Sequence, residues 1–179
     1  MNTIVDQDSA EAREVAPPRE GSLEDLYVRH APEAIRLAYL LTSDAQLAED
    51  ITQDAFIRVA GRFRHLRSPG AFDAYLRRTV TNLCMSHHRR RRLERTYVAR
   101  ERARPDRASE QPDIASRDEM TRALRSLPMR QRVAVVLRYY ADLPEQEVAE
   151  ALGCSVTAAR SLFFRAMETL RTTIGSEER

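Results

Sequence analysis

Apolar residues recur along this chain every three to four positions, the period of an amphipathic helix rather than the alternation of a strand. Leu23, Leu26, Ala34, Ile35, Ala38 and Leu41 mark a first helix, opened by a Ser22-x-x-Asp25 capping box and expected to kink or split at Pro32, near Ala31. Asp44 is placed to cap a second, from Ala45 to about Phe63, with Leu47, Ile51, Ala55, Val59 and Phe63 as its inner stripe. A basic loop from Arg64 to Gly70 leads to a third helix, from Pro69 or Ala71 to about Arg92, with Phe72, Leu76, Thr79, Val80 and Leu83 inward. Two shorter stripes follow, Met120, Ala123, Leu124 and Leu127, then Val133, Ala134, Val136, Leu137 and Tyr140 after Pro128.

The stretch Leu143 to Arg171 reads as helix, tight turn, helix. Pro144 suits a first helical position, and Glu145 and Glu147 in the first turn complement the helix dipole. Gly153 is expected to stop that helix in a left-handed conformation, and Ser155 to cap a longer one whose inner face is Val156, Ala159, Phe163, Ala166, Met167 and Leu170. This suggests a DNA-reading helix-turn-helix; the alternative is a helical hairpin that only packs. The predicted class is all-α: two small helical domains joined by a flexible linker. The boundaries are a disordered tail over 1–21, a first domain over 22–93, a linker over 94–117 that begins as a continuation of the third helix, a helix-turn-helix domain over 118–174, and a tail over 175–179.

Two outward faces change the picture. On the second helix, Asp50, Gln53, Asp54 and Ile57 lie opposite the core stripe with Phe56 at their edge, an acidic face with an apolar centre. It suits a protein partner, or a solvated surface carrying one stray apolar residue. On the third, Tyr75, Arg78, Asn82, Met85 and Arg89 form a stripe that mixes an aromatic for stacking, an amide for base edges and guanidiniums for phosphate. A generic exposed helix face is the alternative, and the run Arg89, Arg90, Arg91, Arg92 favours nucleic acid.

Composition adds limits. The 179 residues carry a net charge of only +2, but the basic excess is concentrated between Arg89 and Arg107, and every cation other than histidine is Arg. A GC-rich genome produces that bias too. No apolar run is long enough to span a membrane and no signal-peptide pattern opens the chain, so the expected location is the cytoplasm. Cys84 and Cys154 are isolated thiols. Cys84 with His87 and His88 has suggestive spacing but lacks the second ligand pair that zinc requires, so neither metal nor cofactor is expected. No nucleophile-base pair or phosphate loop points to an enzyme.

Taken together, three motifs in order resemble the extracytoplasmic-function sigma factors, the small two-domain group of the sigma-70 family of RNA polymerase sigma subunits, and actinobacterial members most. AEDITQDAFIRV at Ala48 to Val59 is similar to the family's polymerase-binding helix. FDAYLRRTVTNLCMSHHRRRR at Phe72 to Arg92 is similar to its −10-reading helix. Leu127 to Arg171 is similar to its −35-reading domain. Tyr75 stands where the family usually has Trp, Ser86 replaces a common Asp, and Leu162 replaces a second basic residue of the recognition helix. The resemblance implies that Asp50, Gln53, Asp54, Phe56 and Ile57 bind core polymerase at the clamp helices of its largest subunit, with a further contact at the flap. It implies −10 contacts through Phe72, Tyr75, Arg78, Asn82 and Arg89 to Arg92. It implies −35 contacts through Ser155, Thr157, Ala158, Arg160, Ser161 and Arg165. An anti-sigma factor is a further expected partner. Fully extended, the linker reaches roughly 80 Å at about 3.3 Å per residue, against about 70 Å for two turns of B-DNA. One chain can therefore span two promoter elements. The rival reading, a stand-alone helix-turn-helix regulator, leaves the faces of the second and third helices unexplained. A decoy that binds polymerase or a regulator without reading promoters is the third.

Overall fold

A computed structural model of the chain describes residues 23–61, 69–101 and 119–177. Ser22, Phe63 and the loop residues Arg64 to Ser68 lie outside the described residues. Among those described there are seven helices: α1 (Leu23–Thr42), α2 (Ala45–Ala60), α3 (Pro69–Glu101), α4 (Glu119–Ser126), α5 (Met129–Tyr139), α6 (Glu145–Leu152) and α7 (Val156–Glu177). None is long and apolar enough to cross a membrane.

Helices α1 to α3 pack on one another around Leu37, Leu41, Val59, Phe72, Leu76 and Val80, all nearly inaccessible to solvent. Of the kink or split expected at Pro32, the split does not occur: α1 runs through it as one helix. The hydrogen bond that Pro32 cannot donate would have gone to Val28, on the solvent side of the helix, where water can serve the carbonyl. Asp44 caps α2 as its position predicts, accepting from the Leu47 amide at 3.0 Å. Helix α3 runs about nine residues past Arg92, because the segment that follows contains neither Gly nor Pro to break it.

Helices α4 to α7 close a second layer around Leu124, Val133, Leu137, Val148, Leu152 and Ala166. Met120, expected in the core, is half exposed, and Thr121 takes the buried place beside Ala123 and Leu124. Pro144 sits one position before α6 rather than inside it, in an extended conformation. Gly153 adopts φ 60°, and the Cys154 amide donates back to the Ala149 carbonyl at 3.0 Å, which ends α6 and turns the chain toward α7. Ser155 then caps α7 through the Ala158 amide at 3.2 Å. A Cβ at Gly153 would meet nothing within 4 Å, so the cost of Gly153→Ala is conformational only. Urea unfolding should show a loss of about 1 kcal/mol, and an unchanged midpoint would refute this account of the turn.

The two sets of helices meet along α1 and α5 and, more lightly, along α3 against α5 and α6. Arg132 on α5 lies at the junction. Its Nη1 donates to the Leu41 carbonyl at 2.7 Å, and its Nη2 to the Arg125 and Leu127 carbonyls at 3.0 and 3.3 Å. Elsewhere along the junction, the Arg36 guanidinium lies 5.7 Å from the centre of the Tyr140 ring, a cation-π contact between α1 and the residue that follows α5.

Candidate partner face and nucleic-acid interfaces

Helix α2 presents its outward face as the spacing predicts. Asp50, Gln53 and Asp54 are exposed, and Ile57 is 72% exposed, which is unusual for a side chain of its size. Asp50 accepts a long hydrogen bond from Gln46 at 3.4 Å, and Asp54 has no partner among the described residues. Phe56 does not belong to this face. It is buried, with its ring edge-on to Tyr27 at 4.8 Å and tilted against Phe72 at 6.1 Å. A helical wheel puts Phe56 at the edge of the stripe, but α1 and α3 close over that edge. Tyr27 and Val28 on α1 are exposed apolar side chains that the periodicity of α1 alone does not single out. Tyr27 touches Phe56, the residue before Ile57.

On α3 the stripe is present but graded. Arg78, Asn82 and Arg89 are exposed, while Tyr75 and Met85 are half-buried. Phe72 is 1% exposed and tilted against His30 at 5.3 Å, so it cannot touch a nucleic acid in this arrangement; it anchors α3 to α1 and α2 instead. Two members of the stripe, Tyr75 and Arg78, line a groove of about 260 Å³. One wall carries Tyr75, Arg78 and Thr81, and the other Leu143, Glu147 and Glu150 of the C-terminal helices. Arg77, on the neighbouring side of α3, is held by Asp73 at 2.6 Å. Arg89, Arg90, Arg91 and Arg92 are all exposed. His87 and His88 are held below the ordinary imidazole range, first by partial desolvation, then by Arg91 for His87 and by Arg132 for His88. They are therefore neutral at pH 7 and add no charge to the run. Cys84 is buried, and burial pushes its thiol up to about 12, so it is protonated at neutral pH. No group of three or more metal-ligating side chains gathers among the described residues.

Helix α7 shows Thr157, Arg160, Ser161, Phe164, Arg165 and Glu168 outward, Ala158 half-buried, and Ser155 exposed at its start. Arg160 is not free: its Nε donates to Glu145 Oε2 of α6 at 2.6 Å. Phe164 is 71% exposed and edge-on to Phe163, which in turn stacks on Tyr139 at 5.6 Å. Periodicity marks Phe164 as outward. It has no means of showing that Glu145 would meet Arg160 or Tyr139 would meet Phe163, because those pairs form only when separate helices pack.

The chain matches family models for Sigma-70 region 2 over residues 26–94 and Sigma-70 region 4 over residues 117–170. It is 35% identical over 147 residues to the RNA polymerase sigma-E factor of Streptomyces coelicolor, covering 81% of this chain and 82% of that one. This chain belongs to the sigma-70 family of RNA polymerase sigma factors, in the extracytoplasmic-function group. An ECF RNA polymerase sigma factor SigE from Mycolicibacterium smegmatis is 34% identical over 158 residues, covering 84% of this sigma factor but 60% of that longer relative. Two solved structures share the fold. One is sigma factor RpoE, solved with the anti-sigma factor NepR from Bartonella quintana (TM-score 0.66, 21% identity, 85% of this chain and 96% of that one). The other is CnrH, solved with the cytosolic domain of CnrY (TM-score 0.61, 22% identity, 88% and 90%). Region 2 thus contains the α2 face and the α3 stripe, and region 4 contains α6, the turn and most of α7.

Proposed function

We propose that this sigma factor binds core RNA polymerase through the outward face of α2 and directs promoter-specific initiation by reading two DNA elements with α3 and α7. The observation that carries the reading is the pairing within region 2. An exposed acidic face centred on Ile57 stands on α2, and a Tyr75, Arg78 and Asn82 stripe stands on the adjacent α3. A stand-alone operator-binding protein has no use for the first.

Asp50 and Asp54 would pair with basic residues of the polymerase clamp helices, while Ile57 fills an apolar hollow. Tyr75 stacks on an unpaired base of the opened non-template strand, and Arg78 and Asn82 hold its phosphate and base edge. Arg89 to Arg92 neutralise upstream phosphates, a contact that weakens steeply with salt. Ser155, Thr157, Ala158, Arg160, Ser161 and Arg165 enter the major groove at −35. The polymerase does the chemistry in the cytoplasm; this chain supplies recognition and strand capture. In this packing Tyr75 and Arg78 share the groove with Glu147 and Glu150. Simultaneous reading of both elements therefore requires region 4 to swing away from region 2. An anti-sigma factor that holds the two regions together belongs to the same proposal, and the flap is the polymerase element suited to region 4.

Run-off transcription with core polymerase on a randomised promoter library tests the reading. The expected result is initiation confined to templates sharing two spaced elements. Tight binding to a DNA site without polymerase, and no initiation with it, would favour the stand-alone regulator.

A further inference from the structure

Arg160 sits on the outward side of α7 among short hydroxyl side chains, Thr157 and Ser161, that suit a major groove. Its guanidinium meets one partner among the described residues, the Glu145 carboxylate, through Nε at 2.6 Å. That leaves both Nη atoms unengaged. An arginine can meet the O6 and N7 of guanine side-on, through Nε and one Nη, or end-on, through its two Nη atoms. With Nε occupied by Glu145, the end-on approach is the one that uses two donors. The pair also joins the first helix of the motif to the second across 15 residues of sequence, so the direction of Arg160 depends on how α6 and α7 pack. The carboxylate further offsets the guanidinium charge, which weakens attraction to any phosphate and leaves base-edge geometry as the main source of binding.

We propose that Glu145 is a positioning residue for −35 selectivity: it holds Arg160 end-on toward a guanine and suppresses sequence-independent phosphate binding by the same guanidinium. The proposal rests on the reading of α7 as the −35 helix. Glu145 itself touches no DNA.

The test uses holoenzyme reconstituted from full-length chain and core polymerase, on a promoter recovered from the run-off library and on its single-base-pair −35 variants. Wild type, Glu145→Gln, Arg160→Ala and the double variant are compared for affinity and for its slope with salt. In Glu145→Gln, discrimination at one G·C pair should fall about tenfold, within the range of a bidentate guanine contact. Binding to scrambled −35 sequences should strengthen, and the salt slope should steepen by about 1, as expected for one newly unmasked cation. In the Arg160→Ala background Glu145→Gln should change neither quantity. If Arg160→Ala removes the discrimination but Glu145→Gln does not, the positioning role is refuted while α7 remains the −35 helix. If neither substitution affects −35 discrimination, Arg160 does not read −35 and the proposal falls with that reading. An equal loss on all sequences in Glu145→Gln would mark the pair as structural only and overturn the proposal; thermal melting of each free variant reports that contribution separately.

Discussion

Asp54→Arg should lower the affinity of this sigma factor for core polymerase by about 100-fold, within the range for losing a charge pair at a partner interface. Asp54 is exposed and has no partner among the described residues, so its reversal breaks nothing inside the protein. The free chain should melt at the wild-type temperature. The loss has two parts: an attraction removed, and a repulsion introduced against whatever basic residue faced the carboxylate. Neighbouring Ile57 sharpens the effect, because an apolar contact excludes water and raises the strength of adjacent charge interactions. Fluorescence anisotropy of labelled chain titrated with core enzyme measures it. Unchanged affinity would remove α2 from the polymerase interface.

The second large effect is expected inside the protein. Arg132→Ala should cost about 3 kcal/mol of stability, the scale for stripping the partner from a buried charged hydrogen-bond network. Arg132 is 8% exposed and has no carboxylate partner among the described residues. Burial, and then the Arg125 charge, lower its pKa to about 10, so it remains protonated at neutral pH. What holds a buried cation there is the geometry of its acceptors. Leu41 lies in the last turn of α1, and Arg125 and Leu127 lie at the end of α4. Two helix C-termini, each the negative end of its dipole, therefore converge on one guanidinium. Truncation leaves three carbonyls without this donor and opens a void. The bond to Leu41 is the one that crosses between regions 2 and 4, so the variant should also populate a more open arrangement. Chemical denaturation reads the first effect, and energy transfer between a label on α1 and a label on α7 reads the second. A wild-type melting profile together with wild-type transfer efficiency would show that Arg132 does not join the regions.

Much of this was legible along the chain because it depends on neighbours in sequence. The Asp44 and Ser155 caps, the Gly153 turn, the inner stripe of α7 and the exposed Ile57 all follow from residues within a few positions of one another. Phe56 and Phe72, expected on binding faces, are buried for a definite reason. A helical wheel reports the angle of a side chain about its own helix, not how far a neighbouring helix wraps around that angle. Here α1 supplies Tyr27 and His30 to cover them. Met120 and Thr121 exchanged roles on the same grounds, since a short helix can roll by part of a turn to suit the packing of α7 against it.

The sequence by itself determined most helices and their caps, because helix periodicity and capping are local and one-dimensional, and three motifs in order carried the resemblance to the family. Only the tertiary structure decided which aromatics are core. It alone showed that Arg160 is held by Glu145, and that Arg132 on α5 reaches a carbonyl 91 positions earlier. Such contacts arise where helix surfaces meet at a particular distance and rotation. That geometry is set by the packing of the whole interface at once, and no single stretch of the chain encodes it.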